Sequence, residues 1–288
     1  VAAVAGVATF NTLSLNRAAA GYTLAASAAG LTGVTSSAFT VNPGTATALA
    51  ITTAPVSGQS GVVLSPQPVV RLVDANGNTV PTTGTTVTAT LASGGGTLGG
   101  TLTANTVGGV ATFTNLSLTG ITGAYTINFS SGALTSVTSG TIALSAGVPA
   151  ALSFFVQPSD AASGAAIAPA VVVRVLDGAG NLVPTATNAI TIGLGSNPGG
   201  STLSGTVTAN AVAGAATFST LSLNFTGAGY TLTAAASGLT GATSTGFAVT
   251  PGAATRLVYL VAPSTVTAGA TMSPPVQVEI QDVAGNRV

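Results

Sequence analysis

Any chemistry in this chain has to rest on five carboxylates, because its 288 residues include no His, no Cys and no Lys. Three of the five, Asp74, Asp177 and Asp282, open the related stretches DANGNTV, DGAGNLV and DVAGNRV. Asp74, Asn76 and Asn78 put oxygen-bearing side chains at alternate positions, the spacing of a calcium loop. Calcium takes six to eight oxygens with several carboxylates among them, and this loop supplies one carboxylate. The second copy has Gly178, Ala179 and Gly180 between Asp177 and Asn181, which removes the middle oxygen. A turn is the expected role: Asp bonds its own backbone, while Gly77, Gly180 and Gly285 supply the positive φ of a tight reversal. General acid–base work needs two titratable groups converging on one pocket, and Asp74 and Asp177 lie more than a hundred residues apart. The reading therefore assigns no catalytic, cofactor-binding or metal-binding residue, and expects a protein that is not an enzyme and carries no cofactor.

The remaining polar candidates also read as structural. Asn115, Asn128 and Asn224 each begin an N-x-S/T sequon, but they sit at unrelated positions of the repeat described below, as chance matches in a Ser/Thr-rich chain would. Arg71 and Arg174 are equivalent to each other and are replaced by Glu279 in the last copy. A reversal of sign at one position is expected at a solvated site, where an ion pair contributes under about 1 kcal/mol.

Composition narrows the function classes. Charged residues make up 3% of the chain and the net charge is zero, against about 25% charged residues in an ordinary soluble domain. Such a surface offers phosphates no basic face, so no nucleic-acid partner is expected. It offers no polybasic patch to an anionic bilayer either. No run of about 18 apolar residues appears, so no transmembrane segment is expected. Ser, Thr, Asn, Gln and Gly must cover the outside, which makes folding weakly dependent on pH and salt. It also leaves little charge repulsion between copies.

The elements that position these residues repeat. Phe10, Phe113 and Phe218 stand in VATFNTLSL, VATFTNLSL and AATFSTLSL, and Tyr22, Tyr125 and Tyr230 in GYTL, AYTI and GYTL. The three Asp residues keep the same register, and Gly44, Gly147 and Gly252 mark the seams VNPGTAT, LSAGVPA and VTPGAAT. A period of about 104 residues is the size of a whole β-sandwich domain rather than of a solenoid unit. Val171, Val173 and Val175 alternate with Val172 and Arg174, and Val276, Val278 and Ile280 with Gln277, Glu279 and Gln281. Ile190, Ile192 and Leu194 share one face, as do Val87, Ala89 and Leu91. Period-two patterning of this kind puts one face in a core and the other in water. The expected fold class is all-β, with tandem sandwich domains. The recurrent Tyr opens a late strand, the place of a tyrosine corner.

The succession P-x-V-x-V-x-V-x-D-x-x-G-N-x-V, G-x-A-T-F-x-x-L-S-L and G-Y-T-L-x-A resembles the bacterial immunoglobulin-like (Big-type) repeats of invasin- and intimin-like adhesins and giant surface proteins. The resemblance covers all 288 residues, and its motifs are structural. It implies immunoglobulin-like sandwiches, display at the cell surface or secretion outside the cell, and an adhesin's binding domain at one tip. No such tip is legible here.

The register divides the chain into the C-terminal part of a repeat at 1–41, whole repeats at 42–144 and 145–249, and the N-terminal part of a repeat at 250–288. Neither partial segment can bury its own apolar face. Two readings follow: a window on a longer array, or subunits whose partial repeats complete one another head to tail, which does not close and builds filaments. The expected function is an extracellular structural stalk, spacer or filament whose partners are adjacent repeats or other copies of itself. The alternative is an adhesin or glycan-binding module with cell-surface or glycan ligands, although the chain has no Trp and only 5% aromatic residues. A transmembrane β-barrel is disfavoured, since it would show aromatic girdles and no domain-length period.

Overall fold

The computed structural model describes residues 1–288. It contains strands and turns and no helix. The chain divides into two compact units, Val1–Ser145 and Ala146–Val288.

In the first unit, the strands from Ala48 to Ser145 form two facing sheets. One is three-stranded, with Val69–Val73 between Val110–Thr112 and Ala48–Thr53, both antiparallel to it. In the other, Thr86–Ser93 lies between Thr103–Asn105 and Gly123–Ser130. Ile142–Ser145 follows, and then Ser57–Gln59 runs parallel to it at the edge. Ala48–Thr53, Val69–Val73 and Val110–Thr112 in one sheet, against Thr86–Ser93, Gly123–Ser130 and Ile142–Ser145 in the other, is the strand division of an immunoglobulin-like sandwich. The chain is all-β with this fold.

The alternation in the sequence decides which side chains meet. Val70, Leu72 and Ala111 from the small sheet face Val87, Ala89, Ile127, Phe129 and Ile142 from the large one, all buried in one cluster. Phe113, Leu116 and Leu118 complete that cluster, with the Phe113 and Phe129 rings 5.3 Å apart. Each Val, Leu, Ile or Phe among them taken fully out of water contributes about 1.5–3 kcal/mol of transfer free energy. The partners on the outer face are Ser, Thr and Asn: Thr86 donates to Asn105 Oδ1, and Ser93 shares a hydrogen bond with Thr126.

The second unit repeats the scheme. Val171–Asp177 lies between Pro149–Val156 and Ala215–Phe218, opposite Ala189–Leu194 and Leu232–Ala235. A separate core gathers Leu152, Val171, Val173, Val175, Ile190, Ile192, Phe218, Tyr230 and Phe247. Val171, Val173 and Val175 point inward and Val172 and Arg174 do not, as the alternation predicts.

The remaining segments show how a core is shared between early and late strands. Ala19–Tyr22 pairs with Phe39–Val41, and Arg256–Val261 with Gln277–Gln281. Phe10 and Leu13 are 53% and 65% exposed, while their equivalents Phe113 and Leu116 are at 2% and 0%. Leu257 is 70% exposed, and its equivalent Leu49 is at 5%. At residues 42–249 the same positions are buried in cores that draw on strands from both halves of the repeat.

Arg71 and Arg174 do not sit freely in solvent, contrary to what the reversal of sign at their position predicts. The Arg174 guanidinium lies 3.1 Å above the centre of the Phe155 ring, and Arg71 donates to Thr79 Oγ1 at 3.0 Å. The flat, weakly hydrated guanidinium stacks on an aromatic face where Glu279 in the last copy has no such option.

Candidate functional site

The repeated D-x-x-G-N turn is where the polar groups converge. It follows a core strand, and its glycine takes a left-handed φ of +80° at Gly77, +87° at Gly180 and +90° at Gly285. The turn closes by Asp74 N to Asn78 O at 3.0 Å and Gly77 N to Asp74 O at 3.0 Å, and both other copies do the same.

Each Asp carboxylate is buried and fully engaged by N–H donors. Asp74 Oδ1 accepts from the backbone of Asn76 and Asn78, both at 2.9 Å. Its Oδ2 accepts from the seam residue Gly44 N at 2.8 Å and from Asn78 Nδ2 at 2.9 Å. Asp177 bonds Ala179 N, Asn181 N, Gly147 N and Asn181 Nδ2 at 2.9, 2.8, 2.6 and 2.8 Å. Asp282 bonds Ala284 N, Asn286 N, Gly252 N and Asn286 Nδ2 at 3.0, 2.8, 2.9 and 2.7 Å. Hydrogen bonds to the charged form favour ionisation. The Asn78 amide, followed by the Gly44 N–H, holds Asp74 down at about 2. For Asp177 and Asp282, burial pushes upward, but the Asn181 and Asn286 amides and the seam glycines outweigh it, and both carboxyls lie below their ordinary value. The carboxylate therefore does turn and seam work: it ties a strand end to the glycine that begins the same repeat. No three acidic groups come together to hold a metal.

The Asn that closes the motif has a role that the sequence reading missed. Asn78 Nδ2 donates to Asn16 O at 2.9 Å, and Asn78 Oδ1 accepts from Ala18 N at 2.8 Å, so its amide bonds the backbone of a segment about sixty residues earlier. Asn286 makes the same pair, to Asn224 O at 2.9 Å and from Thr226 N at 3.1 Å, and adds Ser163 Oγ at 2.9 Å. Asn286 is only 8% exposed. The available signal was the Asn that recurs at 78, 181 and 286, four residues after each Asp.

The recurrent Tyr lies on the other side of that backbone. Tyr125 and Tyr230 are buried, and their hydroxyls donate to Ile121 O at 2.7 Å and Phe225 O at 2.8 Å. Tyr22 donates to Arg17 O at 3.0 Å. These are tyrosine corners, as the position of the Tyr predicts. Glycines line the rings: a Cβ at Gly94 would overlap the Tyr125 ring, and one at Gly199 the Tyr230 hydroxyl. Two sequon side chains are likewise engaged, Asn115 and Asn224 accepting from Thr101 N and Thr202 N at 2.8 Å each.

No helix of the molecule is long and apolar enough to cross a membrane. No protein-family model matches the chain, and no curated protein matches it. Among solved structures, the chain is similar to the Escherichia coli adhesin FdeC, with 19% identity over 85% of this chain and 77% of that one, at a TM-score of 0.35. It is similar to Yersinia pseudotuberculosis InvD with 20% identity, 83% and 72% coverage and a TM-score of 0.32. A β-glycosidase from Bacteroides vulgatus matches with 14% identity over 68% of this chain and 24% of its own, at a TM-score of 0.31. An adhesin and an enzyme match at one level, so the likeness separates no function.

Proposed function

We propose that this chain is a non-enzymatic extracellular structural protein, a stalk or spacer built from tandem immunoglobulin-like repeats. Residues 42–144 and 145–249 are its whole repeats, and 1–41 and 250–288 are parts of two more. One observation carries the reading: the polar residues that recur in register, Asp, Asn and Tyr, are used on turns, seams and bends rather than gathered in a pocket. A hydroxyl-rich surface with 3% charged residues and a chain without Cys suit a module exposed outside the cell. The test is single-molecule extension of the full chain. Two separate unfolding events are expected, each releasing about 340–370 Å less the folded span of the repeat, for roughly 103 residues at 3.3–3.6 Å per residue. A featureless extension at low force overturns the reading.

Two further readings each have an observation behind them. An adhesin or glycan-binding role is favoured by Phe155, which is 56% exposed and held flat by Arg174. Loss of cell or glycan binding in Phe155→Ala supports that role, and absence of binding by the full chain removes it. Filament assembly by half-repeat completion is the other reading: 3% charged residues leave little repulsion between copies, and apolar side chains such as Phe10, Leu13 and Leu257 are exposed. Negative-stain microscopy at micromolar concentration decides that one: filaments lost on removing 250–288 support it, and isolated particles exclude it.

A further inference from the structure

We infer that the tyrosine corner of one repeat and the closing Asn of the next repeat's D-x-x-G-N turn form one two-sided latch that fixes consecutive repeats against each other. The latched object is a three-residue bend, Asn224–Phe225–Thr226 in one unit and Asn16–Arg17–Ala18 in the other. The central residue of the bend is held from within its own repeat. Phe225 O accepts from Tyr230 Oη at 2.8 Å and from Ser201 Oγ at 3.0 Å, and Phe225 N donates to Ser201 Oγ at 2.9 Å. Arg17 O accepts from Tyr22 Oη. That leaves the flanking groups, the carbonyl of residue 224 or 16 and the N–H of residue 226 or 18, facing the following repeat.

The Asn amide takes both at once. Its donor and acceptor are spaced like those of a peptide group, so Asn286 and Asn78 act as a one-residue edge strand laid along the bend. The orientation of that amide is set by the Asp of the same motif. Asp282 Oδ2 accepts from Asn286 Nδ2 at 2.7 Å, and Asp74 Oδ2 from Asn78 Nδ2 at 2.9 Å. A flipped amide would set its oxygen against an ionised carboxylate. Ser163 closes the arrangement in the second unit, donating to Asn224 O at 2.6 Å and accepting from Asn286 Nδ2. Tyr230 and Tyr22 are thus positioning residues for the joint as well as supports for their own sandwiches.

The inference rests on the tandem-repeat reading and adds what couples one repeat to the next. Its test is amide hydrogen exchange by NMR on the full chain, for which Thr226 and Ala18 are the reporters. Both amides are expected to be protected. Asn286→Ala should speed exchange at Thr226 at least tenfold and leave Ala18 unchanged, and Asn78→Ala should do the reverse. Tyr230→Phe should also speed exchange at Thr226, and combining it with Asn286→Ala should add little, because either change opens the same latch. An unprotected Thr226 amide in the parent chain, or one indifferent to Asn286→Ala, overturns the inference, as do multiplicative effects in the double variant. A second measurement needs no variant: slowly exchanging side-chain amide protons of Asn286 with Overhauser contacts to Thr226 support the latch, and their absence opposes it. The two-event extension pattern survives failure of the latch, so the two ideas fall separately.

Discussion

At the level of single residues, each Asp carboxylate holds a local turn and its seam glycine, while Asn78 and Asn286 bond segments about sixty residues earlier. Asp74, Asp177 and Asp282 were legible as turn residues because the turn is local. The reach of Asn78 to residues 16 and 18 was not, since nothing within DANGNTV tells a solvated Asn from one that bonds a segment about sixty residues earlier. The Arg174–Phe155 stack was hidden for a related reason: the aromatic stands in one copy only. The buried carboxylates set a pH dependence with a definite sign. Asp74 has a folded value of about 2 against an ordinary 3.8, and Asp177 and Asp282 are also depressed. Their stabilisation is complete above the unfolded value and is lost as the pH falls through the folded one. The denaturation midpoint is therefore expected to stay flat from about pH 5 to 8 and to drop between about pH 4 and 2. Asp74→Asn should lower the midpoint at neutral pH and shrink the acid decline, as denaturant titrations across that range would show.

A second prediction at this scale concerns strain. Ala213 and Gly214 occupy the centre of a two-residue reversal between Val212 and Ala215, with φ of +50° and +79°. Left-handed backbone costs an Ala about 1–2 kcal/mol, and the equivalent residue of the preceding copy is Gly108. Ala213→Asn creates the Asn-Gly pair that such turns favour and should stabilise the chain by about 0.5–1 kcal/mol. Equilibrium urea denaturation of the two proteins measures it, and an unchanged or lower midpoint counts against the strain.

Individual strands were readable wherever alternation was clean. Val171–Asp177 and Ala189–Leu194 bury the residues that period-two patterning selects. Pairing order was less readable, because the sheet partners of Val171–Asp177 lie on both sides of it in sequence and share no local pattern with it. Burial was the least readable property, because one motif can be core or surface according to what covers it. The phrase V-A-T-F puts Phe10 at 53% exposure and Phe113 at 2%. Phe113→Ala removes a ring packed against Phe129 and should cost about 3–5 kcal/mol. Phe10→Ala removes the same atoms from an exposed site and should stay within about 0.5 kcal/mol. Urea denaturation of both variants tests the contrast, and equal losses would mean that Phe10 is covered in solution.

For the whole molecule, the repeat period was the most legible feature, and the two cores give it a thermodynamic meaning. The cluster that contains Phe113 draws on residues from Leu49 to Leu144, and the cluster that contains Phe218 on residues from Leu152 to Val249. No buried residue belongs to both. In arrays of this kind, stability is close to a sum of intrinsic terms and nearest-neighbour terms, and substitutions without shared partners act independently. Phe113→Ala should therefore destabilise one core and leave the other close to its original stability. A loss of about 3–5 kcal/mol in a domain of this size shifts its melting temperature by well over ten degrees, enough to resolve two peaks. Scanning calorimetry of the variant is expected to show an early transition from the altered repeat and a late one from the intact repeat. Phe218→Ala should exchange their assignments. A single transition that moves as a whole in both variants would mean that the repeats melt as one unit, with a coupling between neighbours as large as the loss of an entire aromatic side chain.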